Sequence, residues 1–174
     1  FLPFSEIIDK NSIKDSAFEN DKKKTNSKYK KNINFEIGDS ILVQVIKEPF
    51  AGKGPRVSTN LSISGNLIVL VPNQKYIGIS KKINDKYERT RLKQIIKSIK
   101  PNDFGIIVRT LTSGKDQKII EKDLKKLTDE WKDINAKINT EDVPSILYND
   151  QNITNLIIRD LFTEDIHRIY IDNK

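Results

Sequence analysis

The residues from Lys47 to Asn73 read KEPFAGKGPRVSTNLSISGNLIVLVPN, and the rest of the chain is organised around them. They follow a segment, Ser40 to Lys47, in which apolar side chains alternate as they do along a half-buried strand. One face of that predicted strand carries Ile41, Val43 and Val45, and the other carries Leu42, Gln44 and Ile46. A second strand is predicted in the continuous apolar run from Leu67 to Val71, which Pro72-Asn73 closes.

A basic loop, Gly52-Lys53-Gly54-Pro55-Arg56, lies between these two predicted strands. Such a loop can present cations and backbone N–H groups to a phosphate. An ordinary hairpin with a solvated lysine fits the same spacing, so the loop alone does not decide between the two interpretations.

The composition sets broad limits on the class of protein. The 174 residues are enough for one ordinary domain or two small ones. Lys and Arg number 31 against 24 Asp and Glu, and the formal charge of +7 has the sign expected of a nucleic-acid-binding protein. The absence of cysteine excludes disulfides and thiolate metal sites within this sequence. No apolar run is long enough to predict a membrane span.

Helices and strands mix without regular alternation, which favours the α+β class. A helix is predicted from Asn84-Asp85 to about Ser98, followed by a short buried strand from Gly105 to Arg109. A longer helix follows, with an apolar stripe that predicts packing on the protein's own sheet. The stripe consists of Ile120, Leu124, Leu127, Trp131, Ile134 and Ile138.

Towards the end of the chain, the pattern predicts a strand at Ser145–Tyr148, a helix at Asn152–Phe162 and a last strand at Arg168–Asp172. Near the beginning, residues 10–34 are polar and dense in lysine, which predicts a mobile loop. That loop could attract RNA electrostatically, or it could be a solvated insertion, which is the more common role of a run of charges.

The strongest candidate for a binding group is Arg109 with Thr110, at the carboxyl end of the predicted apolar strand. A guanidinium offers a planar pair of donors to a phosphate, and the neighbouring hydroxyl can add a third bond. A surface ion pair is the alternative for Arg109. The only histidine, His167, is accompanied by no nucleophile motif, and the carboxylates are scattered, so we predict no catalytic and no metal-binding residues.

Several short motifs occur in an order and at a spacing that resemble the ribonuclease E/G family of RNA-processing endonucleases. They are KEPFAGKG (Lys47 to Gly54), SGNLIVLVPN (Ser64 to Asn73), SKKI (Ser80 to Ile83) and GIIVRT (Gly105 to Thr110). The resemblance extends over essentially the whole chain except about residues 10–34. It implies part of an S1-type OB-fold domain at residues 1–60, with a lysine-rich insertion at about 10–34. A mixed α/β 5′-sensor subdomain at 61–154 and the start of a ribonuclease-H-like subdomain at 155–174 would follow.

The resemblance also implies roles for particular residues. Arg109 and Thr110 would grip the 5′-monophosphate of an RNA, while Gly65 and Val69 would accept its terminal nucleotide. The OB-fold part of the family clamps single-stranded RNA with an aromatic side chain and a lysine, which correspond to Phe1 and Lys53 here. Because Phe1 starts an FLP element that resembles the end of a strand, we expect the chain to be a fragment.

The function implied is RNA recognition within an endoribonuclease that cuts single-stranded RNA with Mg²⁺. The family's two Mg²⁺-binding aspartates lie in a nuclease domain after the region matched here, so the fragment alone is expected to be inactive. A stand-alone RNA-binding module and a structural protein of a ribosome or degradosome are the alternatives. A composition rich in Lys, Ile and Asn suggests a bacterial cytoplasm or the plastid stroma. The oligomeric state stays open, with a homo-oligomeric parent as one arrangement.

Overall fold

The computed structural model describes residues 1–3, 6–7, 36–149, 166–168, 170 and 172. It confirms the α+β class. The strands are β1 (Gln44–Lys47), β2 (Arg56–Ser58), β3 (Ile63–Ser64), β4 (Ile68–Pro72), β5 (Ile77–Ile79) and β6 (Phe104–Val108). The helices are α1 (Lys86–Ile99) and α2 (Gln117–Ile138), with a short 3-10 helix at Thr110–Thr112. The chain divides into two compact units, residues 1–133 and 134–174. The predicted domain boundaries stay predictions.

Strands β1 and β2 form an antiparallel hairpin. At its tip, Phe50 and Lys53 exchange two backbone hydrogen bonds of 3.2 and 3.0 Å. Ala51 and Gly52 between them have positive φ angles of 49° and 76°, as a two-residue turn matched to the twist of a hairpin requires. The paired strand begins at Gln44 and is therefore shorter than predicted. The described residues contain no closed barrel, so the OB fold stays a prediction.

The other four strands form one sheet in the order β3-β4-β6-β5. Strand β4 is antiparallel to β3 and β6, whereas β5 runs parallel to β6. Side chains alternate between the two faces of a strand. On the core face, the two central strands bury Ile68, Leu70, Ile106 and Val108 completely. Val69 and Ile107 lie between them in sequence and are only half-buried on the opposite face. The predicted strand at Leu67–Val71 is confirmed with a shift of one residue.

Both helices form close to where the sequence predicts them. Asp85 caps α1 by accepting a 2.9 Å hydrogen bond from the Tyr87 backbone N–H, as expected of an aspartate at this position. Leu92 and Ile96 bury its apolar face. In α2 the buried side chains of the predicted stripe are Ile120, Leu124, Leu127 and Ile134. Trp131 is only half-buried and Ile138 is 37% exposed, so the stripe is less buried at its end than predicted.

The predicted strand at Ser145–Tyr148 is wrong, because these residues form no strand. Ile146 is 86% exposed, so this short apolar run lacks the buried face that stabilises a strand. The predicted mobile loop at 10–34 and the helix at Asn152–Phe162 lie outside the described residues. Of the predicted strand at Arg168–Asp172, residues 169 and 171 also lie outside them, and the other three are not in a strand. Within the described part of the chain, no helix combines the length and apolarity needed to cross a bilayer.

Candidate functional site

Arg109 lies directly after β6, where this strand leaves the sheet. Its backbone N–H donates to the Leu67 carbonyl at 2.8 Å, which extends the pairing of β6 with the chain before β4. Its side chain is half-buried, and Nη1 donates to the Gly65 carbonyl at 2.7 Å. The structure therefore brings Arg109 and Gly65 together, and the two were selected from motifs 44 residues apart.

Two hydroxyl groups lie beside each other at the same edge of the sheet. Thr110 is exposed, and its Oγ1 lies 3.1 Å from Oγ of Ser80. Ser80 follows β5, and its N–H donates to the Val108 carbonyl at 2.9 Å. Since β5 and β6 are parallel, their carboxyl ends meet at one edge and place Ser80 next to the residues after β6. The sequence interpretation did not select Ser80 as a site residue, although the SKKI motif begins with it.

The SKKI segment is fixed by an arginine from the first helix. Arg89 Nη1 donates to the carbonyls of Ser80 and Ile83 at 2.8 and 3.1 Å. Ile83 is buried, while Lys81 and Lys82, which lie between Ser80 and Ile83, are exposed. The segment therefore holds a serine hydroxyl in place and presents two ammonium groups to solvent.

Val69 belongs to a row of side chains across the half-buried face of the sheet. It pairs with Ser64 on β3 and with Ile107 on β6, and Ile107 pairs in turn with Gly78 on β5. Arg109 is two residues beyond Ile107, so the alternation of a strand directs it to this face. The row therefore forms a surface with small and apolar side chains that leads to Arg109.

The turn that carries Gly65 is held from two sides. The Asp123 carboxylate on α2 accepts hydrogen bonds from the backbone N–H groups of Leu67, Ile68 and Asn66, at 2.9, 3.2 and 3.4 Å. On the other side, the buried Thr112 hydroxyl donates to the Leu67 carbonyl. These contacts fix the backbone of the turn, and they include the segment that contributes the carbonyl bound by Arg109.

Gly65 is also the point of closest approach between this turn and α2. A Cβ atom at this position would lie 2.6 Å from Asp123 Oδ2, 2.9 Å from Leu127 Cδ1 and 3.0 Å from the Ile68 carbonyl oxygen. All three distances are shorter than carbon contacts normally allow. A side chain at this position would therefore have to displace Asp123, Leu127 or the backbone of the turn.

A charged clamp holds the loop that follows Thr110–Thr112. Glu88 on α1 accepts two hydrogen bonds of 2.7 Å from Arg91 and one of 2.8 Å from the Gly114 N–H. Arg91 also donates to the Lys115 carbonyl at 3.2 Å. These donors, with Arg91 first, lower the pKa of Glu88 to about 2. The clamp thus ties α1 to the loop behind the candidate site.

Glu88→Gln should lower the free energy of unfolding at neutral pH but not in strong acid. The carboxylate contributes stability above its ordinary pKa of 4.5, and this contribution is lost as pH falls toward the folded-state pKa of about 2. We expect the variant to lose about 1–2 kcal/mol of unfolding free energy at pH 7. Urea denaturation between pH 7 and pH 2 should show the two proteins converging. Asp129→Asn, which disrupts an exposed pair with Lys132, is the control and should change the curve much less, because solvent screens an exposed pair. If the two proteins differed in unfolding free energy by the same amount at every pH, the charge of Glu88 would not be the source of the stability.

Phe1 and Lys53, predicted to contact the RNA strand, both lie along the β1–β2 hairpin. The Phe1 amino group donates to the Pro55 carbonyl at 2.7 Å, and the Val57 N–H donates back to the Phe1 carbonyl at 3.0 Å. The Phe1 side chain is 78% exposed. Phe50, directly opposite Lys53 at the tip, is 83% exposed. Sequence interpretation did not select Phe50, although an apolar residue at a predicted turn was a usable signal.

The described residues include several carboxylates and one histidine, which are possible metal ligands. No three of their His, Asp and Glu side chains gather closely enough to hold an ion. Asp123, the carboxylate nearest to Gly65, already accepts backbone N–H groups. His167 is exposed. The groups that meet at the Arg109 edge are therefore a guanidinium and two hydroxyls.

Comparison with known proteins shows which sequences this chain resembles. The model of the Ribonuclease E/G family matches residues 62–174, which include the Gly65 turn, Ser80 and Arg109. A ribonuclease E/G-like protein from Pyropia yezoensis is 39% identical over 137 residues, covering 79% of this chain and 27% of its own length. Ribonuclease E from a Nostoc species is 35% identical over 133 residues, covering 76% of this chain and 19% of the relative. A chloroplastic ribonuclease E/G-like protein from Arabidopsis thaliana is 33% identical over 157 residues, covering 84% and 16%.

These matches extend over most of the present sequence but over a small part of each relative. The chain corresponds to between 16% and 27% of the length of the three relatives. The matched region contains the four-stranded sheet, both helices and the edge where Arg109, Thr110 and Ser80 meet. The chain belongs to the ribonuclease E/G family.

Proposed function

We propose that this chain is the RNA-recognition portion of an endoribonuclease, and that Arg109 and Thr110 bind the 5′-monophosphate of single-stranded RNA. The observation that carries the proposal is the fixed guanidinium of Arg109, whose Nη1 lies 2.7 Å from the Gly65 carbonyl at a sheet edge. The hydroxyls of Thr110 and Ser80 lie at the same edge, 3.1 Å apart. A cation and two hydroxyls together form the kind of donor set that a terminal phosphate accepts.

The fixed position of Arg109 supports a role in recognition. A long side chain loses conformational freedom when it binds, and a side chain that is already ordered loses less. A guanidinium carries five N–H donors in one plane. The planar fork suits the paired oxygens of a phosphate, and charge-assisted bonds of this kind are among the strongest hydrogen bonds in proteins.

The nucleotide that bears the phosphate would lie against the row formed by Ser64, Val69, Ile107 and Gly78. This row is half-buried and leads to Arg109. Gly78, at its end on β5, adds no side chain to the surface. Gly65 and Val69 would thus both border the terminal nucleotide. An apolar surface can contact any base, since every base has an apolar face.

Farther along the RNA, the β1–β2 hairpin would contact the strand. Phe1 and Phe50 expose aromatic rings, and Lys53 lies opposite Phe50 at the tip of the hairpin. Aromatic stacking combined with positive charge is the usual way in which proteins hold single-stranded nucleic acid without reading its sequence. We propose that residues 1–60 are part of an S1-type OB-fold domain that supplies this contact.

In the parent enzyme, we propose Mg²⁺-dependent cleavage of RNA by a nuclease domain outside the region described here. The chain covers only a minor part of the length of its relatives, which supports this division. Relatives that are bacterial or chloroplastic support a cytoplasmic or plastid location and a role in RNA processing and decay. Membership of the family favours this function over a stand-alone RNA-binding module or a structural protein.

The proposal is tested with two RNAs that differ only at one end. The 174-residue chain should bind a single-stranded RNA with a 5′-monophosphate more tightly than the same RNA with a 5′-hydroxyl. The difference should be on the order of 1–3 kcal/mol, the value of a few charge-assisted hydrogen bonds in a partly exposed site. Fluorescence anisotropy at fixed salt concentration measures both dissociation constants. Equal affinities for the two RNAs would contradict the sensor function.

A further inference from the structure

We infer that Asp123 is a positioning residue of this site, because it holds the turn whose carbonyl group binds Arg109. The inference rests on the proposed function and extends it to a residue on α2. Asp123 is half-buried, and it is a positioning residue because its carboxylate contacts the Gly65 turn and acts on a bound phosphate only through Arg109.

The first step concerns the backbone of the turn. Leu67 and Ile68 donate their N–H groups to the same Asp123 oxygen, at 2.9 and 3.2 Å, and Asn66 donates to the other at 3.4 Å. Successive N–H groups that converge in this way form an anion-binding concavity, which the carboxylate of Asp123 occupies. Without that acceptor, partly buried N–H groups would lose their partner, and the turn would be free to rearrange.

The second step connects the turn to Arg109. The Gly65 carbonyl that accepts Arg109 Nη1 directly precedes Asn66, the first of the residues held by Asp123. The Arg109 N–H donates to the Leu67 carbonyl, so the backbone and the side chain of Arg109 both depend on this turn. A displacement of the turn would therefore change the direction in which the guanidinium points. Asp123 thus influences the guanidinium through the backbone of the turn.

The packing of α2 against Gly65 is consistent with this role of Asp123. Asp123 Oδ2 lies 2.6 Å from the position that a Cβ atom of residue 65 would occupy, so the glycine allows the carboxylate to reach the N–H groups. Glycine at 65 and aspartate at 123 are thus two parts of one arrangement. The preference of the site for glycine and its dependence on Asp123 have the same geometric cause.

The test compares Asp123→Ala with Asp123→Asn, using RNAs with a 5′-monophosphate or a 5′-hydroxyl. Alanine removes every acceptor, and we expect the preference for the 5′-monophosphate to fall roughly tenfold, as for one misdirected charge-assisted bond. Asparagine can keep its carbonyl oxygen at the position of Oδ2, so it should retain most of the preference. Binding of 5′-hydroxyl RNA should stay the same in both variants, which a general loss of folding would not allow.

Two further measurements separate positioning from other effects. Amide hydrogen exchange of Leu67 and Ile68, followed by NMR without RNA, should accelerate in Asp123→Ala and stay slow in Asp123→Asn. Asp129→Ala is the matched control, because it removes an exposed carboxylate from the same helix and changes the net charge equally. It should affect neither the exchange nor the preference.

The results that would overturn the inference are distinguishable. If the unmutated chain prefers the 5′-monophosphate and Asp123→Ala keeps that preference, the positioning role alone is wrong. If Asp129→Ala loses the preference as Asp123→Ala does, net charge explains the effect. If the unmutated chain shows no preference, the proposed function fails and the inference fails with it. If Asp123→Ala does not fold, Asp123→Asn decides: retained preference with slow exchange supports the role, and complete loss contradicts it.

Discussion

Gly65→Ala is expected to destabilise the protein by about 3 kcal/mol, because the new methyl group has no space. It would meet two side-chain atoms on α2, at 2.6 Å for Asp123 Oδ2 and 2.9 Å for Leu127 Cδ1. Those side chains can move, but the third contact, the Ile68 carbonyl at 3.0 Å, belongs to a fully buried residue of β4. Either α2 shifts away from the sheet or Asp123 loses its N–H partners.

Thermal and urea unfolding measure this loss. For a chain of this size, about 3 kcal/mol corresponds to a fall of roughly 6–12 °C in the midpoint of thermal unfolding. Gly54→Ala is the control, because a Cβ atom there meets nothing within 4 Å and its φ angle is not positive. That variant should change the unfolding free energy by less than about 0.5 kcal/mol.

A double variant tests the reason for the loss. When Asp123 is also replaced by alanine, the nearest of the three clashing atoms is removed. The cost of Gly65→Ala with Asp123→Ala should then be smaller than the sum of the single costs, as is typical of residues in direct contact. Additive costs would show that the clash with Asp123 is not what destabilises Gly65→Ala, and they would weaken the link between glycine 65 and α2.

Local patterns predicted much of this fold. The apolar run that became β4, the capping Asp85 and the stripe of α2 each depend on neighbours in sequence, so residue order is enough to locate them. Ser145–Tyr148 shows the limit of such patterns. A short apolar run produced no strand there, because a strand also needs a buried face, and Ile146 is exposed.

The candidate site was only partly visible in the sequence. Arg109 and Thr110 could be selected because an arginine and a hydroxyl follow an apolar strand, and Gly65 and Val69 came from family resemblance. Ser80 and Asp123 were missed because their relevance depends on tertiary contacts. Ser80 reaches Thr110 only through the parallel pairing of β5 with β6, and Asp123 reaches Leu67 across 56 residues. No local pattern encodes which strands become neighbours.

Arg109→Ala should abolish the distinction between RNA ends, which is the largest effect on binding that we expect. Removal of the guanidinium should weaken binding of 5′-monophosphate RNA by about 1–3 kcal/mol. The binding of 5′-hydroxyl RNA should stay nearly the same. The substitution also removes the bond to the Gly65 carbonyl, so the unfolding free energy should fall by about 1 kcal/mol. A melting curve will show that the variant is folded at the temperature of the binding measurement.

Arg109→Lys separates charge from shape. An ammonium keeps the positive charge but lacks the planar fork, and it cannot donate to the Gly65 carbonyl and to two phosphate oxygens in the same geometry. We therefore expect lysine to restore only part of the preference, so that the order is arginine, then lysine, then alanine. Lys132→Ala removes one exposed positive charge from α2 and is the control for net charge. It should lower the affinity for both RNAs equally or leave both unchanged, because a distant charge attracts the whole RNA and not one end. If Arg109→Ala retained the preference, or if Lys132→Ala lost it, Arg109 would be an ordinary surface arginine and the end of the RNA would be recognised elsewhere.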